Sequence, residues 1–484
     1  MTERWDLLIR GGTVVDGMRT PRFRADVAVS AGKISEIGKL KGKAKVEIDA
    51  GGKIVAPGFI DAHTHDDRLM LSDPYMEPKV SQGVTTVIAG NCGISLAPTP
   101  RGMKAPITPP IDLMDDEGSW FRFSTFHAYV HTLAAQPPAT NCALLVGHTM
   151  LRVQTMDELD RPATEDETAL MRAMADEALA AGAVGISTGL YYEPARAAPT
   201  EEVIAVCRPL RKRKGLYVTH MRDEADRVID SLEETFRIGR EVGVPVVVSH
   251  HKVVGKPNHG RSPETLACIQ KAMKSQKIGL DCYPYCASST ILSVSRVSPA
   301  SRVLVTWSKP HPEFSGQDLN DIAAKLGLSV EKTVEKLLPA GAIYFSMDEQ
   351  DVQRILGFQH TMIGSDGLPH DAAPHPRLWG TFPRVLGHYS RKLKLFPLET
   401  AVHKMTGLTA RTFGLMDRGQ LKPGFAADIV VFSEKQIAET ATFEKPIKPA
   451  KGIDAVVVNG HVVWRKGKPT GARPGRILRR GWTG

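Results

Sequence analysis

Six side chains able to hold a metal ion stand at the same kind of place in this chain of 484 residues, just past the end of a short apolar run. His63 and His65 follow Gly58-Phe59-Ile60-Asp61-Ala62, and Cys92 follows Thr85-Thr86-Val87-Ile88-Ala89. His220 follows Leu216-Tyr217-Val218-Thr219, His250 follows Val246-Val247-Val248-Ser249, and Asp366 follows Thr361-Met362-Ile363-Gly364. On extended backbone the i, i+2 spacing turns the imidazoles of His63 and His65 the same way, so the pair can grip one ion. A thiolate near histidines is a soft donor set that suits zinc rather than magnesium or calcium. Asp366, flanked by glycines that admit other groups, is placed to ligate a metal and to take the proton of an activated water. Each residue alone has a bland reading: a surface histidine pair in a turn, a buried thiol, an Asp-Gly turn. The repeated construction of apolar strand followed by ligand is what raises the chemical reading above them. If the sixth strand continues, His251 points away from His250 and packs, while Lys252 returns to its side and becomes a candidate for an anionic substrate group. His148, after Ala143-Leu144-Leu145-Val146, reads either as a contact of a ligand or substrate or as a structural histidine.

Eight such runs can be counted, the others being Ala143-Leu144-Leu145-Val146, Val184-Gly185-Ile186-Ser187 and Ile278-Gly279-Leu280-Asp281. They alternate with helical stretches such as 165–181 and 225–242, the pattern of a parallel sheet covered by helices. Eight strands close a barrel, and in a parallel barrel every C-terminal strand end opens on one rim, so distant residues converge there. Roughly 80 residues separate the seventh and eighth strands, too many for an ordinary connection, which predicts an inserted lid-like subdomain over 284–347. The first sixty residues read as short antiparallel strands punctuated by turns such as Gly11-Gly12, and the same texture returns near the C-terminal end. The expected fold is therefore α/β: a (β/α)8 TIM-like barrel over 58–414, with a small β-sandwich domain built from 1–57 and 415–484.

Composition is ordinary for a globular protein: 42% hydrophobic, 24% charged, 43 Gly and 33 Pro, which excludes collagen-like, coiled-coil and wholly disordered chains. No apolar run reaches the roughly 20 residues of a membrane span, and the acidic start does not read as a secretory signal. Six scattered cysteines suit a reducing, cytoplasmic setting. The net charge of +9 comes from 62 basic against 53 acidic residues spread along the chain. Its densest clusters, Arg211-Lys212-Arg213-Lys214 before Gly215 and the stretch 473–480, read as a helix end stopped by glycine and as a solvated tail. A small-molecule substrate is expected, with no nucleic acid, membrane or obligate protein partner.

Longer segments carry a resemblance. Gly11-Gly12-Thr13-Val14-Val15-Asp16-Gly17, residues 55–65 and residues 419–431 resemble the amidohydrolase superfamily. Gly90-Asn91-Cys92-Gly93, Thr219-His220-Met221-Arg222-Asp223-Glu224, Ser249-His250-His251-Lys252 and Gly364-Ser365-Asp366-Gly367-Leu368-Pro369-His370 are similar to the zinc-dependent D-aminoacylases, the N-acyl-D-amino-acid deacylases. The similarity runs over essentially the whole chain. It implies a tight zinc on Cys92, His220 and His250, a weaker second position at His63, His65 and Asp366, and Asp366 as acid and base. The reaction implied is hydrolysis of an N-acyl-D-amino acid to a carboxylate and a free D-amino acid, the D configuration resting on the resemblance alone. Lys252, Arg377, Tyr283 and Ser289 are the candidates for the substrate carboxylate. Tyr191, Tyr192, Tyr344 and Met347 are those for the side-chain pocket, with Arg296 available if that side chain is acidic. The fourth strand ends Ser187-Thr188-Gly189, without the lysine that bridges two ions in binuclear amidohydrolases, so Cys92 would take the bridging role. That departure, with Cys92 itself, argues against a cyclic-amide hydrolase of the hydantoinase or dihydroorotase kind. The intact donor set argues against a non-catalytic scaffold.

Overall fold

The computed structural model describes residues 4–99 and 107–481. Eight parallel strands run β1 (Phe59–Asp61), β2 (Val84–Ala89), β3 (Asn141–Gly147), β4 (Gly185–Gly189), β5 (Leu216–His220), β6 (Val246–Val248), β7 (Ile278–Cys282) and β8 (Thr361–Ile363). Each pairs with its sequence neighbour. Between β8 and β1 the cylinder closes through a few contacts: Ala62 N–H donates to Ile363 O at 3.1 Å, and Thr64 bridges Gly367 in parallel. The strands are buried almost throughout, as strands covered on both faces must be, which is why they read as near-continuous apolar runs.

The helices outside obey their local signals. Glu165–Ala181 begins at a capping box between Thr164 and Glu167 and stops at Gly182. The helix expected from 225 begins only at Val228, because the Asp223 carboxylate accepts from Ala225 N and Arg227 N and holds those residues in a turn. The basic cluster does end a helix, Pro209–Arg213, but the left-handed residue is Lys214 rather than Gly215.

The stretch 473–480, expected as a solvated tail, is packed instead. Its backbone bonds to Cys142 through Arg476 O and Leu478 N, and Leu478 is buried with Phe413, Leu415 and barrel side chains at the N-terminal end of the cylinder. Arg480 donates to Lys214 O and Thr412 O, so these cations bind carbonyls at the bottom of the barrel.

Both chain ends build one nine-stranded sheet, joined where Ile54–Pro57 pairs antiparallel with Ile429–Phe432. Gly11-Gly12 is no turn: Trp5–Val14 runs through as a single strand with a bulge between Ile9 and Gly12, Gly11 having a φ of +67°. The sheet is mixed rather than purely antiparallel, since Trp5–Val14 also pairs parallel with Ala44–Asp49. Between β7 and β8 a three-stranded antiparallel sheet (Ala287–Ile291, Val303–Ser308, Ala340–Phe345) packs with helices Leu319–Leu326 and Val330–Leu337 beside the rim.

Candidate active site

Three side chains of the site leave the backbone in the left-handed region, which costs an ordinary residue about 1–2 kcal/mol. They are Cys92 (φ +54°), His250 (+35°) and Asp366 (+50°). Such backbone persists only where its surroundings over-determine it. The Cys92 turn is clamped by Ser187, whose hydroxyl donates to Gly90 O and accepts from Gly93 N. Gly189 is equally specific, because a Cβ there would lie 2.2 Å from Cys92 O. His250 N–H donates to Asp281 at the end of β7, and Asp366 N–H donates to His63 O at 2.8 Å. The chain therefore turns at His250 instead of continuing β6. His251 still points away, onto Thr265, and burial brings its pKa down to about 4.

All six donors meet at the rim. Cys92 Sγ lies 3.3 Å from both His63 Nε2 and His250 Nε2, and His250 Nε2 is 3.0 Å from His220 Nδ1. Asp366 Oδ1 is 3.2 Å from His65 Nε2 and 3.4 Å from His63 Nε2. One donor atom each from His63, Cys92, His250 and Asp366 falls within 4.8 Å of the rest, all buried. Nitrogens and a sulfur aimed at one another in a closed space fit a soft divalent ion better than they fit any hydrogen-bond pattern. Burial opposes an ionised thiol, but His63 and His250 beside it pull Cys92 well below its ordinary pKa. Burial likewise opposes the ionised Asp366, yet Arg377, 2.9 Å from Oδ2, together with His250 and His63, holds it well below the usual carboxylate range.

Glu224, to which spacing along the chain gives no role, touches the other face of this cluster. Its Oε1 is 3.1 Å from His250 Nδ1 and 2.6 Å from Lys252 Nζ, and its Oε2 is 3.7 Å from His220 Nε2. One carboxylate thus faces the outer nitrogens of both His250 and His220, with Lys252 Nζ also 2.8 Å from His250 Nδ1, so this charged pair backs the two rings on the side away from the other donors. The available signal was its position four residues beyond His220. Glu224→Gln is expected to weaken metal affinity about 10–100-fold, measured by titration against a competing chelator.

Above the cluster lies a narrow cleft lined by Tyr192, Lys252, Tyr283, Ser289 and Arg296 among others. The hydroxyls of Tyr283 and Ser289 are buried without a hydrogen-bond partner among the described residues. Arg377 is fully buried, donates to Ser289 O and lies over the Tyr283 ring. Tyr191, Tyr344 and Arg296 line an adjoining recess. Met347 does not reach the cleft; it packs behind with Tyr283 and Tyr285 along a separate small cavity. His148 also stands apart, 3.4 Å from Glu202 in a buried network with Arg152.

A parallel barrel that gathers imidazoles, a thiolate and a carboxylate on its C-terminal rim is the framework of a metal-dependent hydrolase. The chain belongs to the amidohydrolase family, whose model matches residues 46–326 and 357–464. It is 57% identical to the D-aminoacylase of Alcaligenes xylosoxydans xylosoxydans, over 99% of this chain and 98% of that one. It is 52% identical to the N-acyl-D-aspartate deacylase of the same organism, over 98% and 95%. A crystal structure of N-acyl-D-glutamate deacylase from Bordetella bronchiseptica, complexed with zinc and a phosphonate mimic of the tetrahedral intermediate, superposes with a TM-score of 0.94 at 46% identity, covering 99% of this chain and all of that one.

Proposed function

We propose that this protein hydrolyses the amide bond of N-acyl-D-amino acids, giving a carboxylate and a free D-amino acid. The observation that carries this reading is the convergence of six donors around Cys92 in a chain similar, end to end, to D-amino-acid deacylases. Cys92, His220 and His250 would hold a tight zinc, with His63, His65 and Asp366 around a weaker second position. Bound zinc supplies polarisation of the amide carbonyl and a water whose pKa falls from about 16 toward about 7.

The protein's own groups do the rest. Asp366, kept ionised by Arg377, accepts the proton of the attacking water on its carboxylate and delivers it to the leaving amine nitrogen. The free hydroxyls of Tyr283 and Ser289, with Lys252 and Arg377 beside them, form the cradle for the substrate's α-carboxylate. Tyr191, Tyr192 and Tyr344 wall the side-chain recess, and Met347 supports Tyr283 from behind.

Arg296 narrows the substrate. Lys252 is already paired with Glu224 and Arg377 with Asp366, whereas Arg296 stacks at 4.0 Å over Tyr191 and has no carboxylate partner among the described residues. An unpaired guanidinium in the recess favours an acidic side chain, as in N-acyl-D-aspartate or N-acyl-D-glutamate. Arg296→Leu is expected to lower kcat/KM for N-acetyl-D-glutamate about 10–100-fold, the worth of a charged hydrogen bond, and to spare N-acetyl-D-leucine. Initial rates on the two substrates check it.

Amide cleavage is separated from the cyclic-amide reading by offering hydantoins alongside N-acetyl-D-amino acids. Opening of the hydantoin ring with no free amino acid released from the linear N-acetyl-D-amino acids would reverse the assignment. Free thiols at all six cysteines support a cytoplasmic setting, and the cleft beside the donor cluster supports a small-molecule substrate. Among the described residues no helix is long and apolar enough to cross a membrane. We read the chain as a barrel over 58–414 with its insertion at 284–347, and a β domain shared by 1–57 and 415–484.

A further inference from the structure

Lys79 lies outside the cleft, on the one-turn helix Glu77–Val80 between β1 and β2, with no exposed surface. Its ammonium donates to Asp61 Oδ2 at 2.9 Å and to Ser365 Oγ at 2.8 Å, and lies 3.3 Å from Asp66 Oδ2. Two of these contacts are hydrogen bonds and the third is a buried ion pair. Asp61 Oδ1 accepts in turn from His63 N, 3.3 Å away, and from Ser365 N at 2.8 Å. Ser365 Oγ also reaches His63 O and accepts from Gly367 N.

This network sits where the barrel is least held by its own ladder. Neighbouring strands elsewhere exchange laddered pairs, but among the described residues the backbones beyond β8 and β1 meet only at Ala62, His63 and Thr64 against Ile363, Asp366 and Gly367. The seam divides the site. His63 and His65 leave one side of it and Asp366 leaves the other, while Cys92, His220 and His250 are braced by Ser187, Glu224 and Asp281, of which only Asp281 also touches His63, at 3.5 Å.

We propose that Lys79 is a positioning residue for Asp366: through Asp61 and Ser365 it sets where the carboxylate stands relative to His63 and His65. The inference rests on the deacylase reading. A proton acceptor must stand within hydrogen-bond reach of the water it serves, and a displacement near 1 Å can cost about 100-fold in rate. Three fixed partners around one buried ammonium hold that distance; a neutral side chain cannot.

The test compares Lys79→Met and Ser365→Ala with the unmodified protein, measuring kcat and KM for N-acetyl-D-glutamate and the zinc bound per chain. Lys79→Met is expected to lose about 10–100-fold in kcat, and Ser365→Ala, which removes the hydroxyl's bonds to Lys79, His63 O and Gly367 N but leaves Lys79 on Asp61, about tenfold. KM should change less than about twofold, and the tight zinc should stay in both. If Lys79→Met does not fold, Ser365→Ala decides alone. Variants with wild-type kcat per bound zinc would overturn the inference, and so would zinc lost in step with activity, since Lys79 would then merely support the fold. An unmodified protein that cleaves no N-acyl-D-amino acid would overturn the deacylase reading and this inference with it, a result distinct from active protein with indifferent variants.

Discussion

Replacing Asp366 by alanine is expected to lower kcat for N-acyl-D-amino acids about 10²–10⁴-fold, the range attached to a positioned general base, while the tight zinc stays bound. The separation of these effects follows from position. Asp366 Oδ1 stands on the His63 and His65 side of the cluster, whereas Cys92, His220 and His250 contact one another without it. The neighbouring carboxylates are otherwise engaged: Glu224 is turned to the far faces of His220 and His250 and paired with Lys252, and Asp281 faces Nδ1 of His63 while accepting from His250 N. Steady-state rates together with metal content per chain check the prediction. Near-normal turnover in the variant would remove Asp366 from the chemistry. Loss of zinc in parallel would make it a ligand of the tight position instead.

Cys92→Ala is expected to abolish activity through the opposite route. The thiolate touches histidines of both halves, His63 and His250, so its removal takes a donor from both metal positions at once. Loss of a direct ligand should exceed the 10–100-fold in affinity that a partner beyond the ligands costs. The surrounding turn should survive, because Ser187 clamps it through Gly90 and Gly93 rather than through the sulfur. Thermal unfolding of the metal-free variant is therefore expected to match that of metal-free wild type, while zinc stabilises only the latter. Calorimetric zinc titration and paired melting curves give both readouts.

Much of this architecture was legible because a parallel barrel writes itself plainly. Its strands are covered on both faces, so β2, β3 and β6 appear as apolar runs, and all their ends share one rim, so His220 and His250 could be placed together from about thirty residues apart. What stayed hidden depends on backbone and burial that pattern does not carry. The left-handed residues Cys92, His250 and Asp366 are not themselves glycines, the type that usually marks such backbone. The bulge at Gly11 looks like a turn, and the basic stretch 473–480 looks solvated until the barrel base offers it carbonyls. Lys79 and Glu224 are charged residues of kinds usually exposed, and only the folded chain shows them buried against the donors they hold. Met347 fell on the wrong side of Tyr283 because order along the insertion does not fix which face a side chain takes.

Adding zinc stepwise to the metal-free protein, while following amine release from the D and L forms of N-acetylglutamate and N-acetylleucine, tests the central claim most directly. No release is expected without metal, then a rise that saturates near about one equivalent as expected for a single tight site, and release from the D forms alone. Release that ignores zinc, or that favours the L forms, would contradict it.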